Sequence, residues 1–284
     1  MSLELKFDRL PPLLPRYLRA LAPRMRRPGG EPVVPQISAI AKSVSADAGR
    51  LAAFARLMGH PPDEGLPPTY PHVLAAPLHL SILTRPEFPL RATGLVHLGN
   101  SINVYRSIPV NATMQLVARL VRPERTSRGM EMVMETSAIV DGTTAWTGES
   151  RFFARLPGSG RGERLKRQAT DGFDEVAAWQ AGPGIGRQYA AVSGDYNPIH
   201  LSAITARPFG FRAPIAHGMW SLGRTMTALR DRLSAPYHFD VRFRRPLLLP
   251  AEVRLMLAAD GQFRLVEVGS GKAYLSGFHT EIQQ

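Results

Sequence analysis

Hydrophobic and polar positions change their spacing along the first half of the chain, and the change separates helices from strands. Leu51, Phe54 and Met58 recur on one helical face, with Ser45 as the candidate N-cap and Gly59 as the stop. The apolar run 74–83 is long enough for a buried helix. From about residue 93 the period falls to two, and strand-like runs follow at 101–105, 113–120, 131–140 and 143–154. This half therefore predicts two helices followed by an antiparallel meander.

The second half shows a similar order of elements. A helix after Pro214 is apolar around much of its circumference, through Ile215, Met219, Trp220, Leu222, Met226, Leu229 and Leu233. Alternating runs follow at 239–243 and 253–257, with apolar residues on one face and arginines on the other. Such a helix has to be covered, and a curved antiparallel sheet can wrap it. The predicted fold class is α+β, with two repeats that each wrap a sheet around a central helix.

The two halves also align residue by residue, which indicates a duplication. Ile102, Val104, Arg106, Ala112, Met114, Gln115 and Leu116 align without gaps with Val241, Phe243, Arg245, Ala251, Val253, Arg254 and Leu255. Gly142 and Gly148 align with Gly271 and Gly277, and Gly59 with Gly194. Upstream, Leu78-His79-Leu80 aligns with Ala216-His217-Gly218.

These patterns divide the chain into four segments. Residues 1–44 form a basic, Pro-rich arm, 45–156 the first repeat, 157–170 a Gly-rich basic linker, and 171–284 the second repeat. Leucines and arginines at near-helical spacing within the arm allow a membrane-surface helix. Pro11, Pro12 and Pro15 interrupt that run and favour an arm or helix packed on the body.

Composition narrows the cellular compartment and the classes of binding partner. The chain has no cysteine, so disulfides and thiolate zinc sites are excluded, and it has no apolar run long enough for a membrane span. We expect a cytoplasmic protein without stable membrane insertion. The net charge of +12 is spread along the chain without interleaved aromatic residues, so we do not expect nucleic-acid binding.

Candidate chemistry concentrates between residues 192 and 230. Asp195 and His200 flank the turn Asn197-Pro198, and Gly218 stands where a helix begins. Glycine within a helix costs about 1 kcal/mol relative to alanine, which indicates that a group approaches the backbone closely. A purely structural turn is the alternative interpretation. The first half favours the site, because it has His60-Pro61-Pro62-Asp63 in place of the turn and Leu80 in place of Gly218.

The run Ser193-Gly194-Asp195-Tyr196-Asn197-Pro198-Ile199-His200, followed by Ala216-His217-Gly218-Met219, resembles the hydratase-2 signature of MaoC-like (R)-specific enoyl-CoA hydratases. The resemblance implies a double hotdog whose first half has lost the catalytic residues. It also implies that Asp195 and His200 hold one water as general base and general acid. Asn197 would orient the Asp195 loop, the Gly218 N–H would bind the thioester oxygen, and His217 would be structural.

The same resemblance suggests the ligands. The substrate would be an acyl-CoA or acyl-carrier-protein thioester, and no cofactor or metal is expected. Arg242, Arg244 and Arg245 are candidates for substrate phosphates, with Met219 also assigned to substrate binding; a solvated strand face is the alternative for the arginines. Two other functions stay open, a hotdog thioesterase and a non-catalytic acyl-thioester binding protein. A homodimer is possible.

Overall fold

The computed structural model describes residues 2–21, 32–158, 160 and 172–283. The helices are α1 (Leu13–Leu21), α2 (Ala48–Met58), α3 (Tyr70–Leu83), α4 (Ile185–Ser193), α5 (Ala203–Ala206) and α6 (Gly218–Ala228). The strands are β1 (Ser2–Phe7), β2 (Gln36–Val44), β3 (Leu95–Val104), β4 (Met114–Thr126), β5 (Gly129–Val140), β6 (Thr143–Arg155), β7 (Phe173–Ala181), β8 (Tyr237–Phe243), β9 (Ala251–Ala258), β10 (Gln262–Glu267) and β11 (Ala273–Glu281). Short 3-10 turns occur at Ala92–Gly94, Pro198–His200, Arg207–Phe209 and Arg230–Arg232.

The chain forms two compact units that do not follow the order of the sequence. Unit 1 contains residues 1–46, 71–98 and 111–163, and unit 2 contains residues 47–70, 99–110 and 164–284. Helix α2 and the second part of β3 therefore belong to unit 2, although they precede most of unit 1 in the chain. The boundaries at 45, 156 and 171 remain predictions, and most of the proposed linker 157–170 lies outside the described residues.

Unit 1 is a sheet that carries α3. Its strands lie in the order β1-β2-β4-β5-β6, with β1 and β2 parallel and the other pairs antiparallel. Helix α3 is largely buried, and the ring of its His79 shares a 2.8 Å hydrogen bond with the hydroxyl of Thr136 in β5. The segment 1–44, which we predicted to be an arm or a helix packed on the body, contributes β1, α1 and β2 to this unit. Its two strands were not predicted from the sequence.

Unit 2 repeats the plan around α6. The order is β3-β8-β11-β10-β9-β7, and every neighbouring pair is antiparallel. Alternate residues of β8 are buried, and the rings of Phe239 in β8 and Phe263 in β10 stack with their centroids 4.6 Å apart. Met219, Trp220, Leu222 and Met226 of α6 are buried as well. Both units therefore bear out the α+β arrangement of a helix against an antiparallel sheet.

Helix α2 is confirmed with a correction at its start. Leu51, Phe54 and Met58 are buried, and Gly59 ends the helix in the left-handed region at φ 70°. The N-cap, however, is Asp47, whose carboxylate accepts from the Arg50 N–H at 2.8 Å. The side chain of Ser45 forms a hydrogen bond with the Thr113 hydroxyl instead.

The helix predicted after Pro214 begins later, at Gly218. The preceding residues are extended because their backbone groups have other partners. The N–H of Ile215 donates to the Ile199 carbonyl, the N–H of Ala216 donates to the Leu247 carbonyl, and Ile215 forms an isolated β-bridge with Leu248. Gly218 is therefore the first helical residue, with His217 as its N-cap.

The structure also corrects one part of the repeat alignment. His79 lies deep inside α3, whereas His217 precedes α6, so these two histidines do not occupy corresponding positions. The glycine alignments hold: Gly142 and Gly271 both have positive φ, at 74° and 65°, just before the last strand of their unit. Among the described residues no helix has the length and apolar character needed to cross a membrane.

Candidate active site

Asp195 lies in a hydrogen-bonded turn at the end of α4. The helix stops at Gly194, which has φ 80° and donates its N–H to the Ala190 carbonyl. The Asp195 N–H then donates to the Ser193 hydroxyl at 3.1 Å, and the Asn197 N–H donates to the Asp195 carboxylate at 3.2 Å. These bonds fix the backbone of the turn while about half of the Asp195 side chain stays exposed at 51%. The carboxylate is therefore both held and accessible.

Asn197 supports the same turn from the other side. Its side-chain oxygen accepts from the Ile199 N–H at 3.4 Å and caps the 3-10 turn that carries His200. The expectation that Asn197 orients the loop agrees with this geometry, although its role in the reaction remains a prediction.

His200 is buried with one defined proton. Its Nδ1 lies 2.8 Å from the Ile215 carbonyl oxygen, which can only accept, so Nδ1 carries the hydrogen. In the neutral ring Nε2 is then the nitrogen with a free lone pair. Burial lowers the pKa of His200, and the Asp195 carboxylate and the bond to Ile215 oppose that shift. A neutral imidazole at ordinary pH can accept a proton at Nε2 and return it.

A glycine that the sequence analysis missed allows His200 to occupy this place. A Cβ added to Gly186 in α4 would stand 1.9 Å from the His200 carbonyl oxygen. Any other residue at this position would push the 3-10 turn away from the helix. A glycine inside a predicted helix is the one sequence signal that could have found it.

His217 connects the turn to the start of α6. Its Nε2 donates to the Asp195 backbone carbonyl at 3.0 Å, and its ring stacks on that of His200 with centroids 3.6 Å apart. Burial, with His200 as the second cause, lowers the pKa of His217 to about 3. The ring is therefore neutral at ordinary pH, and its 3.8 Å approach to the Asp195 carboxylate is not an ion pair.

Three polar groups converge at this point. A carboxylate oxygen of Asp195 and ring nitrogens of His200 and His217 all lie within 4.8 Å of one another. A single water can reach both the carboxylate and the His200 ring across such a distance. In the described part of the chain these three residues form the one group that could hold a metal ion. The expectation that no metal is needed remains a prediction.

Gly218 stands beside this group at the first position of α6. Its N–H is one of the first in the helix. These N–H groups have no partner within the helix and form the positive end of its dipole. A Cβ on Gly218 would lie 2.8 Å from the ring of Phe243 in β8. Met219, predicted to bind substrate, is buried with 6% of its surface exposed.

Of the predicted arginines, Arg242 lies in β8, and Arg244 and Arg245 follow the end of that strand. Because Phe243 meets Gly218, the preceding residue Arg242 points to the opposite side of the sheet. Its cross-strand partner is Ser276, which also accepts from Nε of Arg244 at 2.8 Å. Burial lowers the pKa of Arg244, and the charges of Arg242 and Arg264 lower it further.

Arg264 is the member of this group that the sequence analysis missed. It pairs with Ser276 across β10 and β11, and its guanidinium lies over the Phe173 ring at 4.1 Å. Among the described residues its buried Nη1 has no hydrogen-bond partner. We call Arg242, Arg244 and Arg264 the arginine cluster. Arg245, the third predicted arginine, instead lies near Glu267, whose pKa is lowered mainly by Ser270.

Comparison with known proteins shows a consistent set of relatives. Residues 167–274 match the family described as MaoC like domain. The chain is 31% identical over 270 residues to 3-hydroxyacyl-thioester dehydratase X of Mycobacterium tuberculosis, covering 92% of this chain and 94% of the relative. It is 27% identical over 173 residues to enoyl-CoA hydratase ChsH3 of the same organism, covering 58% and 60%.

A solved structure gives the same result for the fold. The crystal structure of HtdX of Mycobacterium tuberculosis matches with a TM-score of 0.76 and 29% identity, covering 87% of this chain and 100% of that one. The predicted double-hotdog fold class is confirmed.

Proposed function

The chain belongs to the MaoC-like family, and from this premise we propose that it adds water across the double bond of trans-2-enoyl thioesters to give (R)-3-hydroxyacyl thioesters, and catalyses the reverse dehydration. The hydro-lyase class itself follows from the two named relatives, a dehydratase and a hydratase. The (R) configuration and the roles of individual residues are our proposals.

The observation that carries the mechanism is the approach of Asp195 and His200 to within 4.8 Å. One water held between them loses a proton to the pair as its oxygen bonds to C3 of the enoyl group. The double-bond electrons move to C2 and the thioester oxygen, and the pair delivers one proton to C2 in exchange for the one it took from water. Each turnover returns the pair to its starting protonation state, so no cofactor takes part.

The developing negative charge on the thioester oxygen needs a donor. The Gly218 N–H at the start of α6 is suited to this task, because it has no partner within the helix and the dipole favours an anion there. His217 would hold the Asp195 turn against this helix through its bond to the Asp195 carbonyl. It stays neutral at ordinary pH and would not transfer protons itself.

The function is tested by mixing the protein with short- and long-chain trans-2-enoyl-CoA and following the loss of the enoyl-thioester absorbance. Free thiol and the configuration of the alcohol are measured in parallel. We expect absorbance loss without thiol release and an (R)-3-hydroxyacyl product. Thiol release would show the thioesterase instead, and the absence of both signals with CoA and carrier-protein substrates would point to a binding protein.

We further propose that the arginine cluster binds the phosphates of a CoA substrate. Ser276 accepts from the Arg244 side chain and is the cross-strand partner of both Arg242 and Arg264. In the described part of the chain none of these three arginines has an ion pair with a carboxylate. Grouping like charges is unfavourable unless an anion joins them. Arg242 lies on the face of β8 opposite Phe243 and Gly218, so the CoA arm would pass around the strand end to reach the cluster.

Arg264→Met is expected to raise KM for enoyl-CoA about tenfold, the size of one lost charge-assisted hydrogen bond. With an enoyl-pantetheine thioester, which lacks the ADP phosphates, KM should not change. Arg254→Met is the matched control, because Arg254 lies on neighbouring β9 and is already paired with Glu175 at 3.4 Å. An equal effect on both substrates, or none on either, would contradict the assignment.

A further inference from the structure

Helix α2 lies in the same unit as the candidate site and packs against both helices that carry it. It contacts α4, which ends at the Asp195 turn, and α6, which begins at Gly218. In the chain, however, α2 belongs to the repeat that lacks the acid–base turn. Each of these two contacts includes a hydrogen bond from an arginine side chain.

The first contact joins Arg50 to the end of α4. Its Nε donates to the Val192 carbonyl at 2.6 Å. Carbonyls in the last turn of a helix have no hydrogen-bond partner within the helix, and the negative end of the dipole there favours a cation. The Arg50 guanidinium supplies both the hydrogen bond and the positive charge. The next residues are Ser193 and Gly194, which hold Asp195, and Arg50 thus fixes the backbone from which the catalytic turn leaves.

Buried Tyr189 of α4 links α2 to the site, because its ring centroid lies 6.0 Å from that of Phe54 in α2. Its pKa is raised by burial first and by the Asp195 carboxylate second, while the charge of Arg50 opposes the shift. Both charges therefore act on one phenol in α4, and the Tyr189 ring lies 4.6 Å from that of His217.

The second contact joins α6 to the other end of α2. Arg224 donates from Nη1 to the Met58 carbonyl at 2.8 Å, and its guanidinium lies over Trp179 at 5.4 Å. A Cβ on Gly59 would stand 2.4 Å from that Nη1, so glycine at the C-terminal end of α2 is needed for the approach. The two arginines hold α2 at its opposite ends.

We propose that α2 is a brace for the active site and that Arg50 is a positioning residue that sets the Asp195 turn relative to His200. The proposal rests on the proposed function. Acid–base catalysis through one shared water requires both groups at hydrogen-bond distance, and a shift of about 1 Å can cost up to a hundredfold in rate. Arg50 acts through the Val192 carbonyl and does not touch the substrate.

The kinetic test compares Arg50→Met with Arg56→Met, a matched control on an exposed part of the same helix. We expect Arg50→Met to lower kcat at least about tenfold with KM within about twofold, because substrate binding is retained while the turn shifts. Arg50→Lys should recover most of kcat, since its ammonium can also donate to the Val192 carbonyl. Arg56→Met should behave as the wild type.

A second readout does not depend on activity. Hydrogen–deuterium exchange of the peptide spanning 190–200 should be faster in Arg50→Met than in the wild type, and unchanged in Arg56→Met. Unchanged exchange and kcat in Arg50→Met would overturn the proposal. A higher KM at constant kcat would also overturn the proposal, because Arg50 would then be a substrate contact. If kcat of Arg50→Lys fell as far as that of Arg50→Met, the hydrogen bond to the Val192 carbonyl would be excluded as the cause. If the wild type were inactive but the exchange pattern were as expected, the proposed function would be contradicted, whereas the role of α2 as a brace would still be supported.

Discussion

Asp195→Asn is expected to lower kcat for enoyl-thioester hydration by about a thousandfold, within the usual range for a positioned acid–base group. Asparagine keeps an oxygen that can accept from the Asn197 N–H, so the turn should hold its shape while the proton acceptor is lost. Initial rates with the wild type and the variant measure the effect. Asp231→Asn is the control, because that carboxylate is exposed and pairs with Arg230 within the same unit.

The companion substitution His200→Ala should cost a similar factor, and the double variant should lose little more than either single one. Two groups that share one water act as a unit, so their effects do not add. His79→Ala removes another buried imidazole and should lower stability while preserving kcat per folded molecule. Near-normal turnover by either single variant would remove that residue from the mechanism.

Gly218→Ala is expected to lower kcat/KM about a hundredfold, the size of one lost oxyanion donor. The new methyl group would occupy the position from which the thioester oxygen meets the helix N-terminus. The structure offers a second reason for glycine, because the methyl would also stand 2.8 Å from the Phe243 ring.

The variant Gly218→Ala/Phe243→Leu separates these two reasons. Leucine removes the aromatic ring, so the double variant should regain thermal stability without regaining kcat/KM. Phe243→Leu alone controls for the loss of the ring. Recovery of full activity in the double variant would show that glycine serves packing alone, and the Gly218 N–H would then lose its assigned role.

The parts of the molecule that depend on neighbours in the chain were predicted well from sequence. The turn from Gly194 to Asn197 is built from local hydrogen bonds, and the side chains themselves indicate it. The same holds for α2 from Leu51 to Gly59, whose face and stop follow from helical spacing.

The errors concern contacts between distant residues. Nothing near Pro214 shows that Ile215 and Ala216 would bond to Ile199 and Leu247, and those bonds delay the start of α6. Gly186 is required because a turn fourteen positions later, at His200, presses on it. Similarly, Arg264 joins Arg242 only because β10, β11 and β8 are neighbours in the sheet.

The placement of α2 limits how this protein can be divided. A fragment beginning at residue 171 would contain Asp195, His200 and Gly218, and would nevertheless lack the helix held by Arg50 and Arg224. The shortest continuous fragment that includes every segment of unit 2 begins at Asp47 and therefore carries most of unit 1 with it. Duplication here has not produced two interchangeable modules, because the half without the acid–base turn supplies a part that the other half uses.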